Sequence, residues 1–179
     1  MNSRLLVGVP LFLVMMVASP LARADDSAGA DAREIKAYRL TMDKVNQLTA
    51  ATKSLRKLAA TDRSVCAVMA PDEGDQGKSL TDRAKKIEGA HPKGVPLLKA
   101  EGLTAREILV LTLVQMQAGM AVYAKSMGMK ELPMEVSPEN VAFMEQHKKE
   151  LDAMQAELKK VPDPCGQRQF QMPDAGDEQ

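Results

Sequence analysis

From Ile108 to Ala124 the chain carries no charge, and Thr112, Gln115 and Gln117 are its only strongly polar side chains. At about 100° per residue the two glutamines point to opposite sides, with apolar residues filling the arcs between them. Thr104 can cap the first turn while Glu107 reaches back to complete a capping box, so residues 104–126 are predicted to form one helix, apolar nearly all round. Such a helix must be covered nearly all round. The interrupting polar residues, the bounding Arg106, Glu107 and Lys125 and the lack of an aromatic belt favour a core helix over a membrane span, which wants about 20 predominantly apolar residues.

Two amphipathic stripes flank it in sequence. Tyr38, Met42, Val45, Leu48, Thr52, Leu55 and Ala59 recur at helical spacing, which predicts a first long helix over 30–60 with no Gly or Pro inside it. Val141, Met144, His147, Leu151, Met154, Leu158 and Val161 form the second stripe. Ser137-Pro138-Glu139 opens that helix with a capping Ser, Pro at the first position and an acid in the first turn, and Pro162 and Pro164 end it. Residues 67–103 connect the first and central helices. A polar loop (71–78) opens the connection, and a short amphipathic helix is predicted over 79–88. A Gly/Pro-bearing segment then carries Val95, Leu97 and Leu98. A connection of that length generally covers something or does the protein's work, and these apolar residues are expected to lie over the central helix. The expected fold is all-α, a small bundle of three long helices plus the short one.

The first residues read differently. Arg4, an apolar run from Leu5 to Ala18 and Ala22-Arg23-Ala24 make a secretory signal over residues 1–24, with cleavage expected after Ala24. The expected address is the periplasm or the exterior. The helical domain would then span 25–165 and a disordered acidic tail 166–179. Whole, the chain has 24 basic and 24 acidic residues; loss of Arg4 and Arg23 leaves 22 against 24, a net of −2. No basic run suggests a phosphate track, which argues against nucleic acid as a partner, and no membrane span is expected after cleavage. Aromatics make up only 3% and tryptophan is absent, so Leu, Val, Ala and Met must fill the core, which suits helices.

An oxidising address gives the two cysteines a meaning. Cys66 lies just past the first helix and Cys165 just past the last, so a bridge between them brings those two ends together. The first and last helices then run parallel, with the central one antiparallel to both.

Chemistry-bearing residues are few. His147 sits on an apolar stripe. Pairing about the 127–136 turn sets it level with Gln117, and pairing through the cysteines sets it level with Leu48, beside Asn46 and Thr49. A buried polar layer of His147, Gln117, Gln115, Asn46 and Thr49, holding helix register, is the expectation. Met1, Met15 and Met16 fall in the signal, so ten of 13 methionines remain. Met116, Met120, Met144 and Met154 sit at helical spacing as gap-fillers. Met127, Met129 and Met134 cluster in a turn; with His147 they are the candidate ligands of a copper-binding alternative, since thioethers are soft donors suited to Cu(I). Met42 and His147 offer a haem alternative, although CxxCH is absent. No nucleophile–base pair, paired carboxylates, phosphate loop or zinc spacing is present. The sequence thus points to no cofactor and to a non-enzymatic binding or structural factor that meets a protein partner or a second copy as a homodimer. A third reading makes the 67–103 connection the active surface of an enzyme subunit or inhibitor.

Overall fold

The computed structural model describes residues 23–69, 77–129 and 136–166. Most of the expected signal, Met134 and nearly all of the expected tail lie outside them. Every regular element among the described residues is helical: α1 (Arg23–Ala37), α2 (Met42–Ala59), a 3-10 turn (Arg63–Val65), α3 (Cys66–Met69), α4 (Leu80–Ala90), α5 (Gly94–Ala100), α6 (Ala105–Ser126), α7 (Pro138–Gln146) and α8 (Lys148–Lys159). The fold is all-α.

The central helix α6 starts at its sequence signal: Thr104 Oγ1 accepts the Glu107 N–H at 3.0 Å. The other half of the expected capping box is replaced, because the Glu107 carboxylate turns outward to Lys44 of α2, 2.6 Å away. A full cation across the helix contact outcompetes one backbone N–H. α6 ends in a Schellman motif, with Met129 N–H on Ala124 O and Gly128 N–H on Lys125 O, both 3.0 Å. Gly128 takes φ 75° there, a left-handed position that glycine occupies without penalty.

The first long helix is not continuous. It breaks into α1 and α2 at Tyr38–Thr41, for reasons that lie in side chains. Thr41 caps α2 through the Lys44 N–H, and Arg39 Nη1 donates to the Lys36 and Ala37 carbonyls that end α1. Asn140 of α7 then pairs with the exposed backbone at Leu40 and Tyr38. The last long helix is only nicked: His147 separates α7 from α8, yet its N–H still reaches Phe143 O at 3.0 Å and its carbonyl still accepts from Leu151 at 2.9 Å.

The 67–103 connection holds more helix than expected. α4 packs along α6 and buries Leu80, Ala84 and Ile87. α5 was hidden in the sequence by Gly94 and Pro96, but a proline in the first helical turn costs nothing, since that N–H has no partner anyway. α5 lies against α2 rather than α6. A Cβ on Gly94 would meet Val68 Cγ2 at 3.2 Å and Leu55 Cδ2 at 3.5 Å, so glycine sets how closely α5 approaches. Leu98 is fully buried and Leu97 only half-buried. Burying a leucine contributes about 1.5–3 kcal/mol, which helps offset the ordering of the connection.

Several ties link the 38–66 and 140–165 segments, among them Leu40 to Asn140, Arg56 to Leu158 and Asp163, Arg63 to Pro164, and Cys66 to Cys165. Their sequence separations lie between 99 and 107 residues. The cysteines are bonded, with S–S 2.08 Å and Cα–Cα 5.4 Å.

Candidate functional site

Where α4 and α7 land on α6 decides which of its sides stays open. Val110, Leu111, Val114, Ala118, Ala121 and Ala124 are buried. The side chain of Met144 on α7 lies over Gly119. The remaining side carries Leu109, Leu113, Met116, Met120, Tyr123 and, just past the helix end, Met127. Spaced four, three, four, three and four residues apart, these six share one face of a 3.6-residue helix. Leu109 and Leu113 are half-buried, while Met116 is 39% exposed, Tyr123 38%, Met127 65% and neighbouring Met129 53%. Among the described residues these last four are the exposed large hydrophobics. At 22 residues α6 is also long and apolar enough to cross a membrane by length and composition, but its other sides are packed against its neighbours.

A concavity lies between α2 and α8. It has a volume of about 330 Å³ and is lined by Asn46, Thr49 and Lys53 on one wall and Ala153, Met154 and Glu157 on the other.

The expected polar layer does not assemble. His147 is one-third exposed, and its Nδ1 lies 2.6 Å from Glu150 Oε2, one turn along the same helix; its ring stacks at a tilt on Phe143, centroids 4.7 Å apart. Asn46 is exposed and Thr49 half-buried, with the Thr49 hydroxyl donating back to Val45 O at 2.8 Å. Gln115 and Gln117 are half-buried on α6. For His147 and Thr49, local partners one turn away satisfy the polar group at less cost than a layer drawn from three helices. Asn46 and Thr49 instead line the α2–α8 groove. Of the candidate thioether ligands, Met127 and Met129 are exposed at the end of α6.

The buried polar chemistry sits at positions the pattern did not single out. Asn140 is 2% exposed and Arg56 4%. Arg56 Nη1 donates to Leu158 O at 2.8 Å and Val161 O at 3.3 Å, and Nη2 to Asp163 Oδ2 at 3.1 Å. A buried guanidinium with carbonyl and carboxylate partners is the arrangement that burial of an arginine demands. Only its place in R-K-L-A near the end of the α2 stripe hinted at this in the sequence. Tyr38 points its hydroxyl toward Glu107, and burial, then the negative charge of Glu107, hold its pKa above the ordinary tyrosine value. Among the described residues no group of three or more His, Cys, Asp or Glu side chains gathers at metal-binding distance.

No family model, no curated protein and no solved structure matches this chain.

Proposed function

We propose that the chain is an exported, soluble helical factor that works without catalysis, through a protein-binding face on α6. The observation that carries this reading is the uncharged stripe from Leu109 to Met127, with Met116, Tyr123 and Met127 open to solvent. Contiguous exposed apolar surface on a folded protein marks an interaction site, and Met and Tyr are residues that interfaces favour. The Cys66–Cys165 bond supports an oxidising address, in keeping with the secretory signal of residues 1–24. In this reading the first and last long helices run parallel and the central one antiparallel, an arrangement favoured by the narrow range of separations, 99 to 107 residues, among the ties between the outer segments.

The test is site-specific photo-crosslinking in the intact cell. A photoreactive residue at Met116 or Tyr123 is expected to give one discrete adduct, and the same group at exposed Lys149 none. Equal labelling at all three positions, or no adduct at any, would remove the stripe from consideration. Amino-terminal sequencing of the exported protein is expected to begin at Asp25.

One observation favours a second reading: Met127 and Met129 place two accessible thioethers at the end of α6, a donor type suited to Cu(I). Titration with Cu(I) against a competing chelator separates the two, since Met127→Leu with Met129→Leu should abolish copper binding and spare a merely apolar interface.

A further inference from the structure

α8 is held differently from α2 and α6. No residue of Lys148–Lys159 is buried, whereas α2 buries Val45, Ala51 and Leu55 and α6 is buried over much of its length. Facing α2, it leaves the 330 Å³ groove. At one end α8 joins α7 through the single residue His147. The other end is fastened strongly. Arg56 grips Leu158 O, Val161 O and Asp163, and Arg63 Nη2 donates to Pro164 O at 2.9 Å. Asp163 Oδ1 accepts the Cys165 N–H at 3.1 Å, and Cys165 is bonded to Cys66. The helix is a strap, hinged at one end, latched at the other and thinly packed between.

We propose that this strap is redox-releasable: reduction of Cys66–Cys165 by a dithiol frees α8 to swing about His147 while α6 and its partners stay folded. A thiolate of the dithiol attacks one sulfur of the bridge, and the displaced cysteine thiolate takes up a proton. The reductant's second thiol then displaces the other cysteine from the mixed disulfide and leaves as a disulfide itself. Two electrons and two protons pass to the protein. Both cysteines are only half-buried, which gives the reductant a path. While the bridge stands, breaking the Arg56 contacts leads nowhere, because Cys165 remains tethered beside Cys66. Once it is cut, the contacts of Arg56 and Arg63, the helical bonds through His147 and the packing of half-buried Leu151 oppose opening, and local unfolding draws on the least-buried elements first.

Hydrogen exchange on the full chain tests this, oxidised and after treatment with dithiothreitol. Peptides covering α8 are expected to lose protection roughly tenfold or more on reduction, and peptides from α6 to keep theirs. Cys165→Ser without reductant should match the reduced wild type. Arg56→Gln should deepen the loss in reductant and change little in the oxidised protein. Unchanged α8 protection after reduction overturns the proposal. So does a parallel loss in α6, which would mean that the bridge supports the whole fold rather than one strap.

Discussion

Asn140 serves as a backbone partner for Leu40 across 100 residues of sequence, its Oδ1 accepting the Leu40 N–H at 2.9 Å. Its Nδ2 donates to Tyr38 O at the same distance, so one amide closes both open groups of the α1–α2 break. Because Asn140 is 2% exposed, water cannot take its place. Asn140→Ala should cost roughly 1–3 kcal/mol in urea unfolding, chiefly for the orphaned Leu40 N–H, since Tyr38 O keeps a long contact to Arg39 Nη1 at 3.4 Å. Asn140→Asp keeps the acceptor but faces the Tyr38 carbonyl with a second acceptor. Its loss should shrink as pH falls and the carboxyl regains a proton to donate.

The connection between α3 and α6 carries weight through one leucine more than its neighbour. Leu98 is 0% exposed and shares the Schellman turn in which Leu103 N–H reaches Leu98 O at 2.9 Å. Leu98→Ala should lower stability by about 2–5 kcal/mol, the usual cost of a buried leucine truncation, whereas half-buried Leu97→Ala should cost clearly less. Thermal unfolding of the two single variants checks the order. Equal effects would mean that the connection is not anchored through α5.

Which parts of this structure could be read from the sequence follows from how far each cause reaches. The start of α6 at Thr104 and of α7 at Ser137-Pro138 are local signals, and both elements begin there. The break at residues 38–41 is a different matter. Thr41 followed by Asp43 is a capping signal, but it lies inside an unbroken apolar stripe, and the residue that makes the break comfortable is Asn140, far along the chain. The same distance hid Arg56, whose partners are carbonyls at the far end of α8. The stripe places His147 toward the interior, but Glu150 is available one turn away, and a nearby carboxylate is an easier partner than a shared layer. That α6 is apolar all round was legible. That the Met116–Tyr123 side stays open was not, because it depends on where α4 and α7 settle.

A pH effect follows from Asp62. Hydrogen bonds from Lys93 first, and from the Ser64 hydroxyl and N–H, hold its carboxyl well below the ordinary value, at about 2. The folded form therefore binds this proton more weakly than the unfolded chain does. The stabilisation is present above the unfolded pKa and is lost as pH falls toward 2. Asp62→Asn should flatten the dependence of the thermal midpoint on pH below about 4 and leave the pH dependence of the neutral region unchanged. An unchanged acid slope would assign the effect to other carboxylates.

Arg106 joins three helices at the start of α6. Its Nη2 pairs with Asp31 at 2.9 Å and with Glu34 on α1, and its Nη1 donates to Thr81 Oγ1 on α4 at 2.6 Å. Asp31 does double service, since its other oxygen accepts the Leu80 N–H at 2.7 Å, at the first residue of α4. Arg106 is one-third exposed and Asp31 14%, so solvent screens part of the pair and its worth lies near the upper end for surface pairs, about 1 kcal/mol. A double-mutant cycle with Arg106→Met and Asp31→Asn should return a coupling of that size, falling as salt is added. Asp31→Asn keeps an amide oxygen for the Leu80 N–H, whereas Arg106→Met loses both carboxylate partners and Thr81 Oγ1, so Arg106→Met should be the costlier single change. If the coupling is zero, α1 is held by its apolar contacts through Ile35 and not by this junction.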